Sequence, residues 1–157
     1  MLARLDAKKD SAIELAIWFH DAIYQPTAGA NEAASARWFD SALGPFLSAN
    51  ISADVVRLIM ATDHSQPASG RADEDLIRDI DLSILAAGEG EYMKYAAGIR
   101  LEYAHVGEGD YVAGRSKVLR QFLAGRIFQT DRFKALEPAA RRNMEAELAG
   151  LARRMTD

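Results

Sequence analysis

A histidine–aspartate pair ends an otherwise apolar segment near the start of the chain. His20 and Asp21 occur together in the string WFHDAIY. An ionisable pair is costly to bury unless it is partnered or bound to a cation. Imidazole and carboxylate groups are good ligands for Mn, Fe, Co, Ni or Zn and acceptable ones for Mg. The pair is therefore a candidate metal site. The alternative, commoner for an isolated dipeptide, is a histidine at a helix C-terminus beside a surface aspartate.

Two further acids interrupt the apolar segment LIRDIDLSIL. At helical spacing Asp81 falls on an apolar stripe, and its carboxylate is therefore expected to face inward, whereas Asp79 falls on another face. The apolar members of that stripe are Ile77, Ile84 and Leu85. An inward carboxylate needs a partner. A metal ion shared with the histidine–aspartate pair would provide one, and an arginine, Arg100 or Arg115, would serve equally well.

The second histidine, His64, lies in the string MATDHSQP. It is suited to ligate a second metal ion or to contact a phosphate group. The alternative is a surface histidine at a helix C-terminus, where the helix dipole favours a positive charge. The third histidine, His105, lies at another predicted helix end and is interpreted in that structural way.

Helices are predicted to carry all of these residues. Every segment with a clear hydrophobic period has the period of a helix, and none alternates as a strand does. The predicted segments are residues 11–24, 31–43, 52–64, 73–87, 91–104 and 110–124, a short element near Phe133 and a last helix that begins near Pro138. Apolar positions on the last helix recur at Ala140, Met144, Leu148, Leu151 and Met155.

Particular residues mark several of the predicted helix starts. Ser11 and Glu14 form a capping-box pattern at the first helix. Asn31 and Ser52 are the predicted N-caps of the second and third helices. Pro138 fits the first turn of the last helix, because a backbone N–H has no helical partner there.

Length and composition are those of one folded domain. The chain has 157 residues, of which 49% are hydrophobic and 27% are charged. These values are typical of a globular protein that buries a core, and they exclude a disordered chain. We therefore expect a single compact all-α domain over residues 1–157, with six to eight helices.

Composition also excludes several classes of function. The chain has no cysteine, which rules out disulfides, zinc–thiolate sites, iron–sulfur clusters and thiol nucleophiles. Its formal net charge of -4 argues against a nucleic acid polymer as partner. No apolar run approaches the roughly 20 residues that span a bilayer. The first residues, MLARLDAKKDS, lack the apolar stretch of a secretory signal, so a cytoplasmic location is expected.

Seven blocks occur in order along the chain: FHDAIY, NEAASA, ATDH, DIDLSILAAG, IRLEYAHV, GDYVAGRSKVLRQFLAGRIF and ARRNMEAEL. Together they resemble a bacterial family of predicted metal-dependent phosphohydrolases in the HD superfamily, from about Glu14 to Leu148. Proteins of that superfamily are helical and take their metal ligands from a histidine, a His-Asp pair and a distant aspartate. By this resemblance His20 and Asp21 match the pair, and Asp81 matches the distant aspartate.

The resemblance implies a phosphohydrolase whose pocket is lined by the other blocks. A divalent ion (Mn, Mg, Co, Ni, Fe or Zn) would activate a water that attacks a small phosphate ester or nucleotide. In this interpretation Asp21 orients the water, His64 protonates the leaving oxygen or completes a second metal site, and two arginines neutralise the phosphate. The arginines are Arg100 and Arg115, and the other residues implied in substrate binding are Asn31, Glu32, Glu102 and Tyr103.

One ligand of the family pattern has no match in this chain. The family's first histidine lies on a helix upstream of the His-Asp pair, and no histidine precedes His20. Either the sequence starts after that helix or the protein lacks this ligand, and for this chain we expect an open site with three protein ligands or fewer. We also expect an apolar groove in place of the missing helix, which another copy of the chain would cover. The alternative function is a non-catalytic HD-fold binding or interaction domain with an incomplete metal site.

Overall fold

A computed structural model describes residues 7–25 and 29–154, with side chains from residue 11 onward. These residues form eight α-helices and no strand, which confirms the all-α class. The helices are α1 (Ala7–Phe19), α2 (Asn31–Leu43), α3 (Ala49–Ala61), α4 (Ala72–Asp81), α5 (Glu89–Glu102), α6 (Glu108–Ala124), α7 (Asp131–Lys134) and α8 (Glu137–Arg154). Two 3-10 turns cover Gly44–Phe46 and Leu82–Ala86.

The chain divides into two compact units, one that ends at Asp81 and one that begins at Leu82. A single domain over the whole chain stays a prediction. Among the helices described above, none combines the length and the hydropathy needed to cross a bilayer.

Helix α3 is central to the first unit, because α1, α2 and α4 all pack against it. Its inner face is the stripe that the sequence predicts, with residues three or four positions apart: Val55, Leu58, Ile59 and Thr62. The opposing core residues are Ala16 on α1, Phe39 on α2 and Ile77 on α4, all fully buried. This core fixes the ends of α1, α3 and α4 relative to one another.

The first helix differs from its prediction at both ends. Helix α1 begins at Ala7, so Ser11 lies inside the helix and the predicted capping box is wrong. The residues that precede Ser11 include alanine and lysine, which are strong helix formers and extend the helix upstream. The helix ends at Phe19 rather than near Tyr24. The histidine–aspartate pair therefore follows the helix instead of lying within it.

The predicted N-caps of α2 and α3 are both wrong. Asn31 is the first residue of α2, and the N-cap position is occupied by Ala30, which makes no side-chain bond to the helix. The N-cap of α3 is Ser48, whose hydroxyl accepts a hydrogen bond from the N–H of Ile51. Ser52, four residues later, is buried inside the first turn. Serines four residues apart both satisfy the capping pattern, and sequence alone does not choose between them.

The segment predicted as one helix over residues 73–87 consists of two elements. Helix α4 ends at Asp81, and the 3-10 turn Leu82–Ala86 follows it. A 3-10 turn has three residues per turn, so the helical spacing used to place Asp81 does not continue beyond that residue. Asp79, placed off the inward stripe by that spacing, is fully buried. The side chain of Asp81 is 26% exposed and lies at the edge of the core.

The second unit has its own core, built from the 3-10 turn Leu82–Ala86, α5, α6, α8 and the segment before α7. Its buried members are Leu85, Tyr92, Tyr111, Val112, Leu119, Ile127, Phe128, Ala140, Met144 and Leu151. The predicted stripe on α8 is confirmed at Ala140, Met144 and Leu151, and Leu148 is partly buried beside them. Met155 lies outside the described residues.

The start of α8 is held by its first residue. The carboxylate of Glu137 accepts hydrogen bonds from the backbone N–H groups of Ile127 and Phe128, at 3.2 and 3.1 Å. It also pairs with Arg141, one turn along the helix. Pro138 follows in the first turn, which confirms its predicted position. These bonds attach the segment before α7 to the N-terminus of α8.

Candidate functional site

Three helix ends bring two histidines and an aspartate together in the first unit. His20 directly follows α1, His64 lies in the loop after α3, and Asp81 is the last residue of α4. Nε2 of His20 lies 3.1 Å from Oδ1 of Asp81, and Nε2 of His64 lies 2.8 Å from Oδ2. Each oxygen of one carboxylate therefore meets one imidazole, and these partners are histidines rather than an arginine. We call these three residues the His–Asp–His cluster.

Asp21 lies on the solvent side of this cluster. Its Oδ2 is 3.3 Å from Nε2 of His20, and 60% of its side chain is exposed. The two histidine side chains are much less exposed, at 17% for His20 and 19% for His64. The four residues thus form a half-buried group of two imidazoles and two carboxylates, with one carboxylate open to solvent.

The hydrogen bonds of His20 determine its protonation state. Nδ1 lies 2.8 Å from the carbonyl oxygen of Ile17, which only accepts hydrogen bonds, so Nδ1 carries a proton. Nε2 faces the carboxylate of Asp81, another acceptor. Both ring nitrogens are therefore donors, and His20 is an imidazolium paired with a carboxylate.

The pKa values of the pair agree with this assignment. The hydrogen bond to Asp81 raises the pKa of His20 from its ordinary value of 6.5 to about 9, against the opposing effect of burial. For Asp81, burial alone would raise the pKa of the carboxyl, but the hydrogen bonds and charges of His20 and His64 outweigh it. The pKa of Asp81 consequently lies well below its usual range. His20 and Asp81 are thus an ion pair at neutral pH.

The donor atoms of this group are of the types that bind a divalent cation. Imidazole nitrogen and carboxylate oxygen both ligate such ions, at roughly 2.0–2.2 Å. The N–O separations within the group are 2.8, 3.1 and 3.3 Å, which are hydrogen-bond and ion-pair distances. The Nδ1–H of His20 is held by a backbone carbonyl, the arrangement that orients a metal-ligating Nε2.

The same atoms are, however, hydrogen-bonded to one another. Across residues 7–25 and 29–154, no group of three or more acidic, histidine or cysteine side chains is arranged to hold a metal ion. Binding would require His20 to lose its Nε2 proton and the lone pairs to turn from their partners to a shared ion. Metal binding at this group therefore stays a prediction.

Ser35 is a supporting residue that carries no sequence signal. It is fully buried on α2, and its hydroxyl accepts from the N–H of Ile23 and donates to the carbonyl of the same residue, at 3.0 and 3.2 Å. Ile23 lies three residues after His20. The bonds therefore attach the turn that follows α1 to α2 and hold the chain just beyond the cluster.

Two residues implied in substrate binding lie at the start of α2. The side-chain amide of Asn31 accepts from the N–H of Gln25 and donates to its carbonyl, at 2.9 and 3.1 Å. Glu32 lies in the first turn, where an acidic side chain interacts favourably with the helix dipole. The structure assigns both residues local roles, and their contact with a substrate stays a prediction.

The remaining implied residues belong to the second unit. Arg115 and Glu147 form a bidentate ion pair, with distances of 2.8 and 3.0 Å, and each side chain is only 9% exposed. The hydroxyl of Tyr92 donates to the same carboxylate at 2.5 Å. These bonds favour a structural role for Arg115, and its predicted contact with phosphate is untested.

Arg100 is also engaged within the second unit. Its guanidinium donates to Glu108 at 3.2 Å and to the carbonyl of Tyr103 at 2.8 Å, and it lies 4.6 Å above the ring of Tyr111. Tyr103 directly follows α5, whose last residue is the exposed Glu102. Arg100 therefore caps the C-terminal end of α5, and the substrate-binding role of this group stays a prediction.

Comparisons with protein-family models, with curated proteins and with solved structures give no significant match for this chain. The resemblance to the HD superfamily therefore stays a prediction from the sequence blocks.

Proposed function

We propose that this chain is an HD-type metal-dependent phosphohydrolase and that His20, Asp21 and Asp81 are its metal ligands. The observation that carries the proposal is the meeting of His20 with Asp81. These residues are 61 positions apart in the sequence, and their side chains approach to 3.1 Å. One imidazole and two carboxylates, brought together from the ends of α1 and α4, are ligand types that suit a divalent transition-metal ion.

A divalent cation held there would supply Lewis acidity, polarising a phosphate oxygen and lowering the pKa of water. Asp81 supplies the central carboxylate, and His20 supplies Nε2 once that atom has lost its proton. Asp21, on the exposed side, is placed to accept a hydrogen bond from an incoming water. His64, bonded to Asp81, is placed to carry the proton that the leaving oxygen needs.

The substrate class in this proposal is a small phosphate ester or a nucleotide. It follows from the resemblance to HD phosphohydrolases, because fold and metal ligands alone do not specify a substrate. The mixture of imidazole and carboxylate favours Mn, Fe, Co, Ni or Zn over Mg, which prefers oxygen ligands alone.

The test is phosphate release by protein stripped with EDTA and then supplied with Mn²⁺, Co²⁺ or Mg²⁺, over a panel of nucleotides and simple phosphomonoesters. Asp81→Asn keeps the size of the side chain and removes its charge, so activity is expected to fall about 100-fold or more. Asp54→Asn is the matched control, because Asp54 pairs with Arg57 in the same unit and is expected to have no role in hydrolysis. No release by the wild-type protein with any of these ions would refute the proposal.

A second candidate function is a non-catalytic binding domain, and one observation favours it. Both imidazoles of the cluster already bond to Asp81 through Nε2, so these atoms have partners without a metal ion. In that case the cluster is a structural network that joins α1, α3 and α4. Thermal unfolding distinguishes the two functions: a metal that binds only the folded protein raises Tm as its concentration exceeds Kd. An unchanged Tm in Mn²⁺, Co²⁺ and Ni²⁺ would favour the binding domain.

A further inference from the structure

The loop that carries His64 begins where α3 ends. Ala61 is the last residue of α3, so its carbonyl has no partner within the helix. The loop turns sharply at Asp63, whose carboxylate accepts from the N–H and the hydroxyl of Ser65, at 2.9 and 2.6 Å. These local bonds shape the turn but do not join it to α4, where the partner of His64 lies.

Arg78 makes that connection. Its Nη1 donates to the carbonyls of Ala61 and Asp63, at 2.7 and 3.0 Å, and its Nη2 donates to the carbonyl of Gln66 at 2.9 Å. The three carbonyls lie on both sides of His64 along the chain. A single guanidinium therefore clamps the loop before and after the histidine.

Because Arg78 lies on α4, the clamp fixes the loop relative to the carboxylate of Asp81 on the same helix. Arg78 precedes Asp81 by three residues, and residues three apart are neighbours on one helix surface. The same rigid helix therefore holds the backbone around His64 and presents the carboxylate that the imidazole contacts. A rigid guanidinium fork with several donors suits such a clamp, whereas the compact ammonium of lysine does not.

We propose that Arg78 is a positioning residue that sets Nε2 of His64 on the carboxylate of Asp81. Its importance for metal binding rests on the function proposed above. Arg78 acts through the backbone of residues 61–66 and does not itself supply a ligand. His64 hydrogen-bonds the proposed ligand Asp81, and loss of such a partner typically changes metal affinity or activity 10- to 100-fold. Arg78 acts on metal affinity by keeping His64 in that position.

Arg57 provides a matched control in the same pair of helices. It lies on α3 and bonds to the side chains of Asp73 and Glu74 at the start of α4, at 2.6 and 2.7 Å. Both arginines join α3 or its loop to α4, but Arg57 bonds to carboxylates away from His64, and Arg78 bonds to the backbone beside it. If the substitutions only weakened the contact between α3 and α4, Arg57→Lys and Arg78→Lys would displace the His64 side chain equally.

The experiment compares the imidazole ¹⁵N and ¹H NMR signals of His64 in EDTA-treated wild-type protein, Arg78→Lys and Arg57→Lys. We expect the His64 signals to move towards those of an unconstrained histidine in Arg78→Lys and to stay in place in Arg57→Lys. Mn²⁺ affinity, measured by electron paramagnetic resonance, is expected to fall 10- to 100-fold in Arg78→Lys only. Wild-type His64 signals in Arg78→Lys, or equal displacement in both variants, would overturn the inference.

The outcomes separate this inference from the proposed function. If wild-type protein binds no Mn²⁺, the proposed function fails, while the His64 signals still decide whether Arg78 positions the loop. If Arg78→Lys does not fold, Arg78→Gln replaces it, since its amide retains two donors for the same carbonyls. His64 signals in that variant that lie between the wild-type and unconstrained positions support the clamp, and unchanged signals overturn it.

Discussion

At the scale of single residues, the carboxylate of Asp81 is the group that joins the two histidines of the candidate site. It accepts from His20 and His64 through separate oxygens, and it holds His20 in the charged form. An imidazolium paired with a carboxylate stabilises the fold when no metal is bound. The same pair must lose a proton before His20 can ligate an ion. The proposed metal binding would therefore compete with this stabilising ion pair and release a proton from His20.

This linkage predicts how stability depends on pH in the metal-free protein. The pKa of His20 is about 9 in the folded state, above the 6.5 of an unfolded chain, so folding favours its charged form. The stabilisation is complete below pH 6.5 and is lost as pH rises through 9. We expect the free energy of unfolding in urea, with EDTA, to decrease over this interval. In His20→Gln the decrease should be smaller, and parallel curves for the two proteins would contradict the assignment.

The ion pair between Arg115 and Glu147 gives a second prediction at this scale. Glu147→Ala leaves a guanidinium buried without its carboxylate, which typically costs about 3–5 kcal/mol. Urea unfolding measures the loss. The control is Glu91→Ala, which removes an exposed pair with Lys94, worth about 0–1 kcal/mol. A loss no larger than that of the control would show that Arg115 is available for another partner, such as the predicted phosphate.

At the scale of elements, the hydrophobic pattern does not predict that α4 ends at Asp81 and that the 3-10 turn Leu82–Ala86 follows it. The exit of that turn is held from α8, where the amide of Asn143 donates to the carbonyls of Leu85 and Ala87, at 2.8 and 2.9 Å. Asn143→Ala is expected to destabilise the protein by about 1–3 kcal/mol, because two carbonyls lose their donor. Glu145→Ala, at an exposed position of the same helix, is the control. Equal unfolding free energies for the two variants would contradict this role.

The sequence predicts helices well where buried residues follow a helical period. It predicts helix ends poorly where the conformation of a single turn determines them. The limits of α2 and the inner stripe of α3 are predicted correctly, because apolar residues recur at helical spacing. The cap of α3 is misplaced, since Ser48 and Ser52 both satisfy the same pattern. Helix α4 is predicted too long, because apolar residues continue through the 3-10 turn without a break.

The candidate site is predictable only in part, because the sequence shows unusual residue types but not how the helices pack. His20 and Asp81 are found because their types are unusual in apolar segments. Their meeting with His64 depends on how α1, α3 and α4 pack, which no local pattern encodes. Ser35 and Arg78 are missed because their partners are backbone groups of distant residues, and backbone groups are present at every position.

At the scale of the whole molecule, composition limits which side chains could bind a metal, and the fold determines which of them lie together. Without cysteine, the chain has no thiolate, and the side chains that could bind a metal are those of histidine, acidic and other oxygen-bearing residues and methionine. The His–Asp–His cluster lies in the first unit, whereas the predicted phosphate-binding arginines lie in the second and are engaged there. The metal-binding claim can therefore be tested on the cluster, independently of those arginines.

Calorimetric titration of the EDTA-stripped full chain with Mn²⁺ tests the central claim most directly. At pH 7.5, repeated in buffers with different enthalpies of ionisation, it measures both binding and the protons released. We expect the wild-type protein to bind Mn²⁺ with release of about one proton, because His20 is charged below pH 9 and must give up its Nε2 proton to bind. Asp81→Asn should not bind. Absence of binding to the wild-type protein, or binding that releases no proton and persists in Asp81→Asn, would contradict the claim.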